Sequence, residues 1–328
     1  MVDLRTTYMG IELKNPIVVG SCSLSKRIET IKRIEDAGAG ALVIKSLFEE
    51  QVQLEQAELE KALGEYNEIY AEMLTIFPKT EHGGAKEHLY WVERARKETS
   101  LPLIASLNAT RRATWVKYAK HLADTGVDGL ELNFYSLPLD ASLRSDAMED
   151  EEFETFAAVR DAVKLPIAVK LHPFYTNVLR VAREFDRLGA DAIVMFNRLF
   201  HPDIDIETEK ECAHLRFGCS SDSAVTLRWT AMLFGQVKAD IVSSRGIETG
   251  HDVIKMLLAG ATAVQVVSTL YQNGIAYLGG MLSDMAEWME NKGYSTLTDF
   301  RGKASKAQVR DPWSFERAQY IRALLGFD

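Results

Sequence analysis

The chain contains 328 residues, of which 47% are hydrophobic, and it carries a formal net charge of −9 at pH 7. Such a chain can bury one large core or two smaller ones, and its acidic balance argues against a nucleic-acid-binding surface. We expect no transmembrane helix, because no apolar run approaches about 20 residues, and no signal peptide, because Met1 does not open a charged and then apolar leader. Three scattered cysteines, Cys22, Cys212 and Cys219, favour free thiols and a cytoplasmic location over a disulfide framework.

Eight short apolar runs predict eight β-strands. Three of them directly follow a proline, which is tolerated at the first position of a strand. Four others follow a glycine between small residues, a pattern typical of a helix end that leads straight into a strand. The predicted strands are Ile17–Gly20, Ala41–Lys45, Leu103–Leu107, Gly129–Phe134, Ile167–Leu171, Ala192–Phe196, Asp240–Ser243 and Ala263–Val267.

Amphipathic segments lie between the predicted strands. In the segment that begins at Val178, apolar residues recur three and four positions apart, so that one helix face can pack on a sheet. Alternating strands and helices require parallel pairing, and eight such units favour an α/β fold of the (β/α)8 (TIM) barrel type in a single domain. The predicted helices include Ile28–Asp36, Trp115–Asp124, Glu152–Val163, Val178–Leu188 and Val225–Val237.

Three stretches are longer than this alternation needs. They are Phe48–Glu87 after the second strand, Arg198–Ser223 after the sixth, and the tail Ser295–Asp328. Long insertions after barrel strands commonly become lids or oligomer contacts. We therefore expect residues 1–294 to form the barrel and residues 295–328 to form a C-terminal extension that packs on the barrel or on a partner subunit.

The last two predicted strands end in residues that suit a phosphate. Backbone N–H groups, hydroxyls and one arginine follow them, at the point where a (β/α)8 barrel commonly binds phosphate. The residues concerned are Ser244, Arg245, Gly246, Ser268 and Thr269.

Other polar residues follow the remaining strands, where barrels of this kind carry their chemistry. They comprise lysines, amides and hydroxyls, a set that suits an anionic heteroaromatic cofactor. No His, Asp and Glu ligands cluster among them, and the spacing of His201, Cys212, His214 and Cys219 is poor for zinc, so we expect no metal site. The strand-end residues include Ser21, Lys45, Ser46, Asn108, Asn133, Lys170 and Asn197.

The order of these segments resembles the soluble class of the dihydroorotate dehydrogenases, from about Leu13 to Leu270. The most specific parts of the resemblance are Ile44-Lys45-Ser46 and the run from Gly246 to Gly250, Gly-Ile-Glu-Thr-Gly. The resemblance implies an FMN-dependent barrel whose cofactor phosphate is bound at the last two strand ends. Lys170 would approach the pyrimidine edge of the flavin, where positive charge favours the reduced form.

The resemblance also assigns roles to individual residues. Catalytic roles fall to Ser136, Lys45 and Lys170, and substrate contacts to Asn133, Tyr135 and Asn197. A soluble electron acceptor and a homodimer are further expectations. Cofactor contacts are expected from Ser21, Lys45, Ser46, Asn108, Asn133, Lys170, Asn197, Ser244, Arg245, Gly246, Ser268 and Thr269.

The sequence departs from the family in the catalytic loop. The family's Asn-Leu-Ser-Cys-Pro-Asn reads Asn-Phe-Tyr-Ser-Leu-Pro here, from Asn133 to Pro138. Ser136 falls at the position of the base that removes a proton while hydride passes to the flavin, with Tyr135, or no base at all, as the alternatives. The second asparagine is replaced by Pro138, and the asparagine-rich segment after strand two has no counterpart. The substrate is therefore expected to be dihydroorotate or a related small molecule oxidised at a CH–CH bond.

Two other functions remain open from the sequence. A lyase or aldolase could use Lys170 for a Schiff base and the phosphate-binding residues for a sugar phosphate. A barrel that binds flavin without turnover is the third possibility, suggested by the altered catalytic loop. Two further residues near strand ends have simpler interpretations: His172 is expected to hydrogen-bond loop backbone, and Cys22 to be a small buried side chain.

Overall fold

Eight parallel strands close into a barrel. The structure, a computed structural model, describes residues 2–50, 52, 84–135, 140–198, 202–212, 217–316 and 318–326. The barrel strands are β3 (Ile17–Val19), β4 (Ala41–Phe48), β5 (Leu103–Asn108), β6 (Gly129–Asn133), β7 (Ile167–Leu171), β8 (Ala192–Met195), β11 (Asp240–Ser244) and β12 (Ala263–Val266). Each pairs in parallel with the next, and β12 pairs with β3 to close the barrel. The predicted (β/α)8 fold is confirmed.

Helices alternate with these strands. They are α1 (Ile28–Asp36), α2 (Gly84–Glu98), α3 (Arg112–Asp124), α4 (Ser145–Ala162), α5 (Val178–Arg187), α6 (Ser223–Leu233), α7 (Gly250–Ala259), α8 (Ser268–Asn273), α9 (Tyr277–Lys292) and α10 (Ala318–Leu325). Two pairs of short strands stand outside the barrel: β1 (Thr6–Tyr8) with β2 (Ile11–Leu13), and β9 (Asp203–Asp205) with β10 (Lys210–Cys212). Among the described residues, none of the helices combines the length and the hydrophobicity that a membrane span requires.

Side-chain alternation along the strands produces two apolar cores. Alternate residues of each strand point into the barrel, where small and branched side chains such as Val18, Ala168 and Val242 pack together. The other residues face the helices and form the larger core. The β1–β2 hairpin closes the N-terminal end of the barrel, where Met9 N donates to the Asp240 carboxylate at 2.8 Å. The N-terminal end of the barrel is therefore closed, and the open end is the one at which the strands have their C-termini.

Two predicted helices differ from the structure by more than three residues at one end. Helix α6 ends at Leu233 instead of Val237, because Phe234 leaves the helical conformation and Gly235 has a φ of 80°. Helix α4 begins at Ser145, seven residues before the predicted start at Glu152. The predicted insertion after β4 lies mostly outside the described residues. The insertion after β8 contains the β9–β10 hairpin.

The segment that follows α9 contacts the barrel's outer helices. Gly302 N donates to Leu257 O at 2.9 Å, Lys306 N donates to Ala231 O at 2.9 Å, and the side chain of Phe300 is fully buried. These contacts attach the first part of the C-terminal extension to α6 and α7.

Candidate active site

A cavity of about 690 Å³ opens where the barrel strands end. Its wall is built from the C-terminal ends of the barrel strands and from loops that follow several of them, so residues distant in sequence meet there. Tyr135 also reaches this wall, whereas Ser136 lies outside the described residues. The predicted cofactor-binding residues in the wall are Ser21, Lys45, Ser46, Asn108, Asn133, Lys170, Asn197, Ser244, Arg245, Gly246 and Ser268.

Thr269 is the one predicted cofactor residue that the structure does not bring into the cavity. Its side chain is fully buried, and its hydroxyl donates to Glu248 O at 2.9 Å and accepts from Asn273 Nδ2 at 3.1 Å. Both capacities of the hydroxyl are therefore used within the protein. Its neighbour Ser268 lines the cavity instead.

Lys170 belongs to a buried polar cluster at the base of the cavity. Its Nζ donates to Gln265 Oε1 at 2.7 Å and lies 3.3 Å from Glu131 Oε1, and the Gln265 amide in turn donates to Glu131. These residues come from β7, β12 and β6, and each is at least nine-tenths buried. A buried ammonium is costly unless it is paired and hydrogen-bonded, so the cluster fixes one cation at the floor of the site.

Gln265 was not among the predicted site residues. The sequence does contain a signal for it, because it is the only polar residue in the apolar run Ala263–Val267. Residues two positions apart in a strand face the same side, so Gln265 points into the barrel as Ala263 does. Only barrel closure brings it to Lys170, which lies 95 residues earlier.

Serine hydroxyls connect the ends of three neighbouring strands. Ser21 and Ser46 share a hydrogen bond with an Oγ–Oγ distance of 3.0 Å, and Ser46 and Ser106 share another of 2.7 Å. The Ser25 hydroxyl accepts from the backbone of Lys45 at 2.8 Å. These hydrogen bonds position the backbone from which Lys45 reaches the cavity. Ser21 and Ser46 themselves line the wall.

Two asparagines line the adjacent part of the wall. Asn108 Nδ2 donates to the backbone oxygen of Asn133 at 3.0 Å, which locks the ends of β5 and β6 together. The Asn133 Oδ1 atom is buried and has no hydrogen-bond partner among the described residues. An unsatisfied buried acceptor costs about 1–3 kcal/mol. The geometry therefore fits a ligand that presents an N–H group to Asn133.

The opposite part of the wall carries an arginine in an unusual backbone conformation. Arg245 has a φ of 84° and the following Gly246 a φ of 64°. A Cβ on Gly246 would lie 2.3 Å from Ser223 N, so the start of α6 packs directly on this turn. Arg245 lies 3.5 Å from Asp222, and its buried Nε has no partner in the described part of the chain. An arginine with donors to spare beside a tight glycine turn suits an anion.

Aromatic side chains that the sequence did not indicate form part of the wall between these regions. The rings of Phe217 and Tyr271 stack with centroids 5.5 Å apart, and the Tyr271 hydroxyl pairs with Ser23 Oγ at 2.6 Å. Cys22 lies beside them, and burial raises the pKa of its thiol, so the neutral form is favoured. A flat apolar ring system could pack against this surface.

His172 is absent from the residues that line this cavity. Its Nδ1 accepts from Phe174 N at 3.1 Å and its ring stacks on Tyr175 with centroids 3.8 Å apart. Burial lowers the pKa of His172 to about 4, so it is neutral near pH 7. Its interpretation as a residue that supports loop backbone agrees with these contacts. The described residues contain no group of three potential metal ligands, and His201 and His214 lie outside them.

Comparison with known proteins places the whole barrel in one family. A family model described as dihydroorotate dehydrogenase matches residues 3–289. Relatives named dihydroorotate dehydrogenase B (NAD(+)), catalytic subunit, are similar along almost their full length. That of Methanocaldococcus jannaschii is 27% identical over 314 residues, covering 92% of this chain and 98% of the relative. That of Thermoplasma volcanium is 27% identical over 316 residues, which cover 93% of this chain and 100% of the relative. That of Caldicellulosiruptor bescii is 26% identical over 313 residues, which cover 92% of this chain and 99% of the relative.

The matched region begins before the hairpin that closes the barrel and ends within α9. It therefore contains every strand that contributes to the cavity. Neither the Schiff-base lyase nor the flavin-binding barrel without turnover gains support from these relatives, whereas an oxidoreductase does. On this evidence of shared sequence along the entire barrel, the chain is a member of the dihydroorotate dehydrogenase family.

Proposed function

We propose that this chain is an FMN-dependent oxidoreductase that oxidises dihydroorotate or a related small substrate at a CH–CH bond. The observation that carries the proposal is that one cavity is lined both by Arg245, with its unpaired Nε, and by the buried Lys170. An anionic cofactor could thus contact an arginine with its phosphate and an ammonium with its ring system. The named relatives, which are dihydroorotate dehydrogenases, support the substrate class.

The residues present fit FMN at both ends. Arg245, Gly246, Ser244 and Ser268 would hold its phosphate, since they combine a spare guanidinium donor, a tight backbone turn and two hydroxyls. The flavin ring would lie against Lys170, Asn133 and the remaining predicted contacts. The unpaired acceptor of Asn133 suits the ring N–H of a flavin.

When bound, FMN supplies the acceptor for the hydride that leaves the substrate carbon. Lys170, held by Glu131 and Gln265, keeps a positive charge at the cavity floor, where negative charge develops during reduction. Lys45, Asn197 and Tyr135 orient the substrate, and Lys45 also lies 5.9 Å from the centroid of the Phe48 ring.

The proton that leaves the substrate needs an acceptor in the catalytic loop. We assign this role to the Ser136 hydroxyl, which would pass the proton to water, with the Tyr135 hydroxyl as the alternative. Ser136 lies outside the described residues. Tyr135 lines the cavity and is 38% exposed, so solvent can reach this part of the site.

We further propose that the electrons leave to a soluble acceptor in the cytoplasm. The relatives are named as NAD(+)-linked catalytic subunits, which favours NAD⁺ as that acceptor and a second subunit as the route to it. A homodimer is proposed from the exposed apolar side chains of the C-terminal extension, Trp313, Tyr320 and Leu325. Light scattering on the purified chain measures that state directly.

Anaerobic mixing tests the reaction itself. The chain is loaded with FMN, desalted and mixed with dihydroorotate, and the yellow absorbance of the oxidised flavin is followed. We expect dihydroorotate, or a related dihydropyrimidine, to bleach it, whereas orotate does not. A flavin that stays oxidised with every such substrate, but is bleached by dithionite, would contradict the proposed substrate class.

A further inference from the structure

A second arginine in the cavity wall has no role in the account above. Arg198 follows Asn197 directly after β8, lines the cavity and is half-buried. Its guanidinium makes no hydrogen bond and no ion pair with any other residue that the structure describes. A partly desolvated guanidinium with free donors is costly by itself, and it is the group best suited to bind a carboxylate or phosphate.

The position of Arg198 identifies the end of the cavity that it serves. Arg198 Nη1, Ser268 Oγ and Asp222 Oδ2 lie 3.2, 3.3 and 3.4 Å from the point that a Cβ on Gly218 would occupy. Gly218 N donates to Ser268 Oγ at 3.0 Å. Glycine at this position therefore leaves room for three polar side chains to converge. Arg198 is therefore at the same end of the cavity as Ser268 and Asp222. Arg245 is at this end too, because its guanidinium is 3.5 Å from Asp222.

The charges at this end do not balance. Asp222 is 3.5 Å from Arg245, so one carboxylate stands beside two guanidiniums. Lys170 is paired with the buried Glu131, and in the rest of the described wall three basic side chains (Lys45, Arg198, Arg245) lie with two acidic ones (Asp222, Glu248). This surplus occurs in a chain whose net charge is −9. A phosphate monoester carries about −1.5 to −2 at pH 7, which is the charge that a second guanidinium would help to neutralise.

We propose that Arg198 is a second phosphate-binding arginine, which together with Arg245 and Ser268 holds the terminal phosphate of FMN. The inference rests on the proposed function, because it requires a flavin nucleotide in the cavity. It adds a residue that the family resemblance did not indicate, and it assigns to Arg198 a cofactor contact and not a substrate contact.

The test compares two ligands that differ only in the phosphate. Dissociation constants of FMN and riboflavin are measured by flavin fluorescence for the flavin-free wild-type chain, Arg198→Ala, Arg198→Lys and Arg33→Ala. Arg33 is exposed on α1, so its replacement changes the net charge equally without touching the cavity. We expect Arg198→Ala to weaken FMN binding by about 10- to 100-fold, to leave riboflavin binding within about twofold, and Arg33→Ala to change neither.

Arg198→Lys keeps one positive charge, so it should recover part of the lost FMN affinity. Equal loss of FMN and riboflavin affinity in Arg198→Ala would overturn the assignment, because the residue would then act on the ring or on the fold. Unchanged FMN affinity would overturn it as well, and would leave flavin binding itself intact. A wild-type chain that binds neither ligand would contradict the proposed function, a result distinct from both.

Discussion

A single charged side chain at the floor of the cavity depends on two others for its stability. Lys170 is 8% exposed and Glu131 is fully buried, and the amide of Gln265 hydrogen-bonds to both. Removal of one member of a buried ion pair leaves the other charge without compensation, and this costs more than the pair itself contributes. The buried charge of Lys170 therefore lowers the stability of the fold unless Glu131 and Gln265 compensate it, in addition to its proposed role in binding the flavin.

Replacement of Lys170 by methionine should destabilise the flavin-free chain by about 3–5 kcal/mol, because the carboxylate of Glu131 is left buried and unpaired. The double variant Lys170→Met/Glu131→Gln should recover much of that loss, since it removes both charges. Urea unfolding of the wild type, both single variants and the double variant measures this coupling. Strictly additive losses would contradict the pairing.

A site residue can be predicted from the sequence only where it differs from what its neighbours lead one to expect. Lys170 could be identified because a lysine inside an apolar strand is unusual. Gln265 also interrupts an apolar strand, but its partner Lys170 lies 95 residues earlier in the chain. Phe217 and Tyr271 could not be identified, because an aromatic residue is unremarkable locally and only barrel closure brings its neighbours to it. Thr269 was expected in the cavity with Ser268, but adjacent residues of a helix point in different directions.

At the scale of elements, the turn after β11 is the point at which backbone packing leaves no room. Gly246 has a positive φ, and a Cβ there would lie 2.3 Å from Ser223 N and 2.9 Å from Cys219 O. The start of α6 would have to move to admit a methyl group. The glycine therefore couples the proposed phosphate-binding turn to the position of a helix.

Gly246→Ala should lower the free energy of unfolding by about 2 kcal/mol or more, through backbone strain and the displacement of α6. Gly280→Ala is the matched control, because that glycine is exposed within α9 and nothing lies within 4 Å of its Cβ position. The control should be neutral or stabilising by up to about 1 kcal/mol. Thermal unfolding of both variants decides the matter, and equal effects would contradict the account of the turn.

Helix α3 begins beside a buried carboxylate from another element. Glu49, which follows β4, accepts hydrogen bonds from Thr110 N at 2.9 Å, Arg111 N at 3.3 Å and Thr114 Oγ1 at 3.0 Å, and pairs with the Arg111 guanidinium. Burial alone would raise the pKa of Glu49, but the hydrogen bonds from Thr110 and Arg111 outweigh it and lower the pKa to about 2. The carboxylate supplies the cap that Arg111, at the N-cap, does not.

This depressed pKa predicts a pH dependence with a defined sign. Glu49 contributes its stability above the pKa of about 4.3 that an unfolded glutamate has, and the contribution is lost as the pH falls towards 2. On the order of 2–3 kcal/mol should disappear between about pH 5 and pH 2. The free energy of unfolding of Glu49→Gln should be lower at neutral pH and should fall less over that interval. Parallel pH profiles for the two proteins would contradict this role.

At the scale of the whole molecule, the barrel could be predicted because it is periodic. Seven of the eight apolar strands follow a proline or a capping glycine. This repeat determines the alternation of strands and helices, and alternation determines parallel pairing. The hairpins β1–β2 and β9–β10 escaped prediction because strands of three residues are too short to show alternation. Residues 295–316 could be recognised as an extension, but their contacts with α6 and α7 depend on packing between distant segments.

Phe300 tests whether this extension stabilises the barrel. Its ring is fully buried and contacts Trp288, with centroids 5.0 Å apart, and Tyr294. Phe300→Ala should lower the free energy of unfolding by about 3–5 kcal/mol, since it leaves a cavity where the extension meets α9. Tyr90→Ala, on an aromatic residue that is 67% exposed, should change it by less than about 0.5 kcal/mol. A similar small effect at Phe300 would mean that the extension is not part of the folded barrel.

We propose that the cavity at the ends of the barrel strands binds FMN, and the number of FMN molecules retained per chain tests this proposal. The purified chain is incubated with excess FMN and desalted, and flavin absorbance is compared with protein concentration. We predict a yellow protein that retains about one FMN per chain, and a large loss of flavin from Lys170→Ala/Glu131→Gln. A correctly folded wild-type chain that emerges colourless would contradict the claim.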